Sequence, residues 1–345
     1  MRSTRKSPQN PWWLRLSSEE LMDVPISDLG LRIEGTTLES RIDRLYGELA
    51  RAGFRFRPYV WLSTDYFTPD GLTGFAVPFF LAHPRLARLE RRQMFEVEGG
   101  DRSWCMKLLR HETAHALDNA YRIHRKKRWR EVFGYFSEPY RWTYVPRPTS
   151  KRYVLNLDYW YSQSHPAEDY AETFAVWLQP RSKWRERYAG WPALEKLEYV
   201  DSLMSEIRDK KPLLRTRARP ESISRVKMTI GEYYRRKRRT YMDTPTRRYD
   251  EVLERLFSNE RIYRRHESAA RFLQRFRDEL RQRISGVTGQ HPYLVDQVLN
   301  QLILRCREAN LRLTSSVRET RIDAAVLLTT LTMGFLYGGH PEYRR

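Results

Sequence analysis

Cysteine is almost missing from this chain. Cys105 and Cys306 are the two present in 345 residues, and no Cys-x-x-Cys pair occurs. A disulfide framework and a thiolate zinc ribbon are therefore both excluded. Long apolar runs are lacking as well. The longest, Ala324 to Tyr337, contains three Thr residues and is shorter than the roughly 20 residues a membrane-spanning helix needs, so it reads as a buried core helix. The basic start (Met1 to Lys6) is followed by Pro8, Pro11 and Trp12-Trp13 where a signal peptide would have its apolar core. These absences predict a cytoplasmic protein without a membrane span.

Acid is in short supply relative to base. Lys and Arg number 63 against 43 Asp and Glu, a net charge of +20, and residues 201–345 carry the larger share, 31 against 18. A field of that sign favours acidic partners, nucleic acid or an acidic polypeptide among them, or is a well-solvated basic surface. With 40% hydrophobic residues and 13% aromatics the chain still has ample core formers. It is long enough for one large domain or two smaller ones.

Local signals divide the chain. Ser17-Ser18-Glu19-Glu20 resembles a capped helix start. Leu38, Ile42, Leu45 and Leu49 share a helical face that Gly53 ends. Two short aromatic and β-branched runs, Tyr59 to Ser63 and Gly74 to Phe80, flank the turn Pro69-Asp70-Gly71 and predict a small sheet. Pro78 suits an edge strand, the kind a peptidase can use to bind an extended substrate. Helices are predicted over Arg102 to His124 and over Pro166 to Leu178, where Pro166 takes the tolerant first-turn position. Beyond Leu194 the pattern is almost wholly helical, with a basic break at Arg215 to Pro220 and a boundary near Asp209 to Pro212. Arg235 to Arg239 is the densest charge run, set between Tyr233-Tyr234 and Tyr241.

The chemistry is carried by His111-Glu112-Thr113-Ala114-His115. Histidines four apart project from one face of a helix, one turn above the other, so both imidazoles can reach one metal ion. Glu112 can then act as general base toward metal-bound water. A catalytic zinc needs a third protein ligand and an open fourth position. A third His six residues on is excluded, because Tyr121 stands there and Asp118 occupies the intervening turn. A Glu on a second helix is the alternative. Glu168 and Glu172 share a face of the Pro166 helix, and one could bind metal while the other hydrogen-bonds a ligand imidazole. Asp118 either supports the site in the same way or is merely a polar helix position. His124 and His165 are fallback oxyanion donors or exposed histidines.

The run His111 to Asp118 resembles the active helix of the lethal-factor-like gluzincins. Tyr161, Glu168 and Ala171-Glu172-Thr173-Phe174 resemble their second ligand helix. His165 to Phe174 is similar to a segment of a bacterial group of zinc-binding metallopeptidases in the gluzincin clan, and the likeness extends over much of residues 17–204. The resemblance implies an α+β, mainly α, zincin-like domain with a small β-sheet over the active-site helix. It implies one zinc ion per chain held by His111, His115 and Glu168, with Glu112 as base. Tyr161 would hydrogen-bond the oxyanion, and Glu172 would hold a ligand imidazole. It implies hydrolysis of peptide bonds in a peptide or protein substrate; the excess of base, not the resemblance, puts an acidic one among the candidates. The N-terminal cysteine ribbon of many members of the bacterial group is absent, and the basic C-terminal third has no counterpart in lethal factor. The expected division is a basic N-terminal arm (1–15), a catalytic domain (16–204) and a basic, all-helical region (205–345). The competing reading is a basic helical protein that binds nucleic acid or an acidic partner and keeps a structural or inactive zinc site; Arg235 to Arg239 with its flanking tyrosines is the feature that favours it.

Overall fold

Capping chemistry starts the first helices where the sequence places them. The Ser17 hydroxyl accepts from the Glu20 amide (3.1 Å) while Glu20 accepts from the Ser17 amide (2.6 Å), a reciprocal capping box. Thr36 accepts from the Glu39 amide and opens the next helix, which buries Leu38, Ile42, Leu45 and Leu49. The computed structural model describes residues 11–141, 143–144, 146–242, 250–337 and 343–344. It is mainly helical with little strand, and no helix among the described residues is long and apolar enough to cross a membrane.

By its contacts the chain divides into two units, the first holding the described residues of 11–93 and 97–234 together with Arg344, the second those of 94–96 and 235–343. The elements through the first unit are α1 (Ser18–Met22), α2 (Thr37–Arg51), β1 (Tyr59–Ser63), β2 (Gly74–Pro78), α3 (Pro84–Met94), α4 (Arg102–Tyr121), α5 (Lys127–Phe133), β3 (Thr143–Tyr144), α6 (Pro166–Leu178), α7 (Trp184–Arg187) and α8 (Ala193–Ile207). The boundary falls inside α9 (Ile230–Met242).

β1 and β2 run parallel, from Tyr59 opposite Gly74 to Ser63 opposite Pro78. The connecting segment doubles back so that the Ala76 amide donates to the Phe67 carbonyl (2.9 Å), an antiparallel bridge on the far side of β2. At Ala76 alone β2 is thus flanked on both sides. Among the described residues the sheet has two strands, so Pro78 sits on a border strand, where its missing amide is tolerated, and the segment through Phe67 lies outside it. Gly74 is required by space, since a Cβ there would collide with the Tyr59 carbonyl and ring. β2 packs on α4, and α4 packs on α2 and α6.

Two expected boundaries are corrected. Residues 1–10 of the basic arm lie outside the described residues, but 11–15 are no loose arm: Trp13 is fully buried and its indole donates to the Leu29 carbonyl at 2.9 Å. The first unit also continues thirty residues past the expected break, because the stretch after α8 returns to the strands. Tyr59 and Trp61 donate to the Ala218 and Pro220 carbonyls (2.6 and 2.9 Å), Ser63 donates to Glu221 (2.7 Å), and the Ile230 amide donates to Val24 (3.0 Å). Side chains of the first strand satisfy backbone carbonyls of a segment with no periodicity of its own.

The second unit contains α10 (Asp250–Leu253), β4 (Phe257–Ser258), α11 (Ala269–Arg275), α12 (Arg277–Thr288), α13 (Pro292–Glu308), β5 (Arg312–Leu313) and α14 (Val317–Tyr337). Val295, Val298, Leu299, Leu302, Ile303 and Cys306 recur at helical spacing and put one face of α13 into a core with Phe272, Leu273 and Leu328. The region is not all helical, since β4 and β5 form a two-residue antiparallel ladder. The apolar run of α14 is amphipathic rather than wholly buried: Ala324, Leu327 and Leu328 face the core while Val326 is 61% exposed.

Candidate metal centre

α4 starts at Asp101, whose carboxylate accepts from the Trp104 amide (2.9 Å), and ends at Arg122 in the left-handed region (φ 52°). Nearly every residue from Cys105 onward is buried, so the helix needs polar partners wherever it carries polar side chains. Arg110 forms a two-pronged ion pair with Glu48 of α2 (2.8 and 3.1 Å), both side chains almost fully buried. On another side Asn119 accepts from the Gly71 amide (3.0 Å) and donates to the Pro69 and Leu72 carbonyls (3.0 and 2.8 Å), which clamps the 69–72 turn onto α4. These contacts set the depth and rotation of the helix that presents His111, Glu112 and His115.

Three donor atoms converge. His111 Nε2 and His115 Nε2 are 3.2 Å apart, and Glu168 Oε2 from α6 lies 3.0 and 3.4 Å from them. Bonds of 2.0–2.1 Å at the tetrahedral angle put zinc ligands about 3.3 Å apart. Glu168 Oε2 is buried yet makes no hydrogen bond. An orphaned carboxylate oxygen between two imidazole nitrogens fits a cation at their common centre, and His111, His115 and Glu168 are the group among the described residues that could hold one.

Glu172, fully buried one turn further along α6, fixes the first imidazole. It faces His111 Nδ1 at 2.9 Å and also accepts from the Asn156 side chain and the Leu157 amide, both at 2.7 Å. An acceptor at Nδ1 places the proton there and leaves the Nε2 lone pair for a metal. Glu168 is steadied through its other oxygen, which accepts from the Tyr140 phenol at 3.0 Å. Tyr140 in turn stacks on His165 (ring centroids 3.8 Å apart). His165 is buried, caps α6 by accepting from the Ala167 amide, and bonds the Glu138 carbonyl (2.8 Å), so it is a structural cap and neither exposed nor an oxyanion donor.

Glu112 is buried at the edge of a cleft of about 210 Å³ that also exposes the two histidines and Tyr161. Its Oε2 accepts from the Thr68 hydroxyl (2.7 Å), on the segment next to β2. Burial pushes the Glu112 carboxyl up, against the pull of the neighbouring imidazoles. For His111 and His115 burial opposes protonation, but Glu168 outweighs it at both, joined at His111 by Glu172, so both are raised. Burial would raise Glu168, and the two histidines instead hold it well below the usual carboxylate range. Beside it, burial pushes Asp169 up to about 7 despite its ion pair with Lys196 of α8.

Tyr161 lines the cleft with its ring 5.7 Å from that of His111, following Trp160 in the left-handed region (φ 54°). Asp118 also lines the cleft, but its carboxylate serves the His124 amide and ring (2.7 and 2.9 Å) rather than a ligand imidazole. His124 then stacks on Phe136, a wall of the cleft. Thr68, Tyr140, Asn156 and Asn119 were not foreseen. Pro69-Asp70-Gly71 marks the turn that Asn119 clamps, but nothing periodic singles out Tyr140 or Asn156 in a stretch crowded with aromatics. The tyrosines before Arg235 are core rather than stacking platforms: Tyr234 is fully buried and Tyr233 packs edge-on against Phe79. Tyr241, after the run, has no described side chain.

Compared with known protein families, curated proteins and solved structures, the chain matches none.

Proposed function

We propose that the chain is a zinc-dependent peptidase of the gluzincin type, with a zincin-like catalytic unit. The observation that carries this reading is the near-equilateral triangle of His111 Nε2, His115 Nε2 and Glu168 Oε2, with the Glu112 carboxylate beside it at the cleft. Two imidazoles and one carboxylate are a zinc donor set that leaves a coordination position open. Zinc bound there would supply Lewis acidity and lower the pKa of bound water.

The rest is done by the chain's own side chains. Thr68 engages Glu112 Oε2, leaving Oε1 to take a proton from the attacking water and return it to the leaving amine. Its raised pKa, set by burial, brings the carboxylate nearer to the basicity that exchange requires. The Tyr161 phenol donates to the oxyanion, an interaction worth about 2.7–4 kcal/mol where such donors have been removed. Glu172 keeps His111 in the ligating tautomer, and Tyr140 holds Glu168 so that Oε2 faces the histidines. An extended substrate would run along the Tyr66 to Thr68 segment, the outer rim of the small sheet. Two buried, unpaired thiols suit a reducing, cytoplasmic setting.

Metal analysis should find one zinc per chain. Glu112→Gln should keep the zinc and lose cleavage of an unbiased peptide library by about 10²–10⁴-fold. Full cleavage by that variant would refute the general-base role. A zinc-loaded wild-type protein that cuts no peptide in the library would sink the peptidase reading itself.

A further inference from the structure

We propose that the second unit holds a binding site for a compact polyphosphate, formed by arginines from four separate segments. Arg271 and Arg275 are four apart on α11 and share a face. α11 packs on α13, whose last turn carries Arg307. The turn before α11, with Arg264 and Arg265, is laced to β5: the Leu313 amide donates to the Glu267 carbonyl (3.1 Å), the Ala269 amide to Leu311 (3.0 Å), and the His266 ring bonds the Leu313 carbonyl (2.8 Å). Arg312 lies on that strand. The backbone thus places six guanidinium groups around one cavity of about 790 Å³, within the roughly 300–1,000 Å³ typical of small-molecule sites.

Charge in the cavity is uncompensated. Glu267 is the one carboxylate among the described lining residues, and Arg275 takes it at 2.6 Å. Arg312 donates to the His266 carbonyl (3.4 Å). The guanidinium groups of Arg264, Arg265, Arg271 and Arg307 make no hydrogen bond or ion pair among the described residues. Like charges this close repel, and a multivalent anion relieves that repulsion. Guanidinium forks match phosphate oxygens two at a time, which an ammonium cannot do. His266 is the one ring in the lining, and it is already hydrogen-bonded, so the cavity offers no platform for stacking bases. That favours a compact polyphosphate over a single nucleic-acid strand. The cavity uses none of the residues of the metal centre.

Titration calorimetry of the full chain with sodium tripolyphosphate tests this, with orthophosphate, an oligothymidylate and a polyglutamate peptide as comparators. Tripolyphosphate should bind saturably and more tightly than orthophosphate. Arg271→Gln with Arg307→Gln should weaken it about tenfold or more, while Arg255→Gln with Arg318→Gln, exposed positions outside the cavity, should change it by less than about twofold. Arg271→Lys with Arg307→Lys should fall between, keeping charge but losing the fork. Absence of saturable binding overturns the proposal, as does an equal loss in the control pair, which marks a bulk charge effect. Tighter binding of the oligonucleotide or polyglutamate, with the same sensitivity to Arg271 and Arg307, would also overturn it and assign the cavity to an extended polyanion.

Discussion

The two units concentrate charge in opposite ways. In the first, His111, Glu168, Glu172, Arg110 and Glu48 are all but sealed from solvent, His115 is half-buried at the cleft, and each is matched by an opposite charge or a directed hydrogen bond. In the second, six arginines face one cavity with a single carboxylate among them, most of them exposed. Water makes the difference. An unpaired charge away from solvent costs several kcal/mol, so a buried cluster must be balanced and rigid. A cluster of one sign survives only where solvent screens it, and it stays open to a partner that completes the pairing.

That contrast can be broken at several points. The largest effect is expected from Arg110→Met, which leaves buried Glu48 with the partly exposed Arg44 (3.2 Å) as its remaining partner and should cost about 3 kcal/mol in chemical denaturation. Replacing both partners, Arg110→Met with Glu48→Leu, should recover much of that loss. If the single and double variants are equally unstable, the pair does not act as a unit. Smaller is Glu172→Ala, which removes the acceptor that orients His111. Zinc affinity should fall about 10–100-fold by competition with a chromophoric chelator, and unchanged affinity would remove Glu172 from the site.

The pH dependence of stability sharpens the comparison further. In the metal-free protein His111 and His115 titrate above their ordinary value of 6.5, so their contribution is complete below pH 6.5 and lost as pH rises through the raised values. Glu168 titrates below 4.5, so its contribution is present above pH 4.5 and lost as pH falls through the lowered value. The metal-free cluster is therefore most stabilising between those two values. Zinc needs both imidazoles free of protons. The gain in Tm on adding zinc should widen as pH is raised above 6.5, and a gain that stays flat or narrows would contradict the shared cluster. The smallest effect belongs to the second unit: Arg271→Met should shift stability by no more than about 0.5 kcal/mol, since it breaks no pairing.

How far the site was legible follows from what kind of contact makes it. His111 and His115 were legible because helical period alone puts them on one face, with Glu112 beside the first of them, and Glu168 with Glu172 for the same reason. Thr68, Asn156 and Tyr140 were not, because each reaches the site from a loop whose side-chain directions obey no period. The extension of the first unit to Tyr234 was hidden for a similar cause. The stretch looks like a basic break, yet its carbonyls are the acceptors for Tyr59, Trp61 and Ser63. The densest charge run, Arg235 to Arg239, follows two tyrosines that belong to the core, whereas the arginines around α11 are scattered over nearly fifty residues of sequence and meet only when folded.

The sequence by itself determined the helices, their caps, the paired histidines with their glutamate, and the excess of base, because all of these are set by spacing along a few turns or by simple count. Spacing alone left open which glutamate faces both imidazoles and which one holds an imidazole from behind, and the tertiary structure decides it. α6 has to pack on α4 at one depth and rotation before Glu168 Oε2 can lie between two Nε2 atoms and Glu172 beneath His111 Nδ1. The arginine cavity is the same lesson at longer range: charge belongs to composition, but its convergence depends on how the turns and helices of the second unit close upon one another.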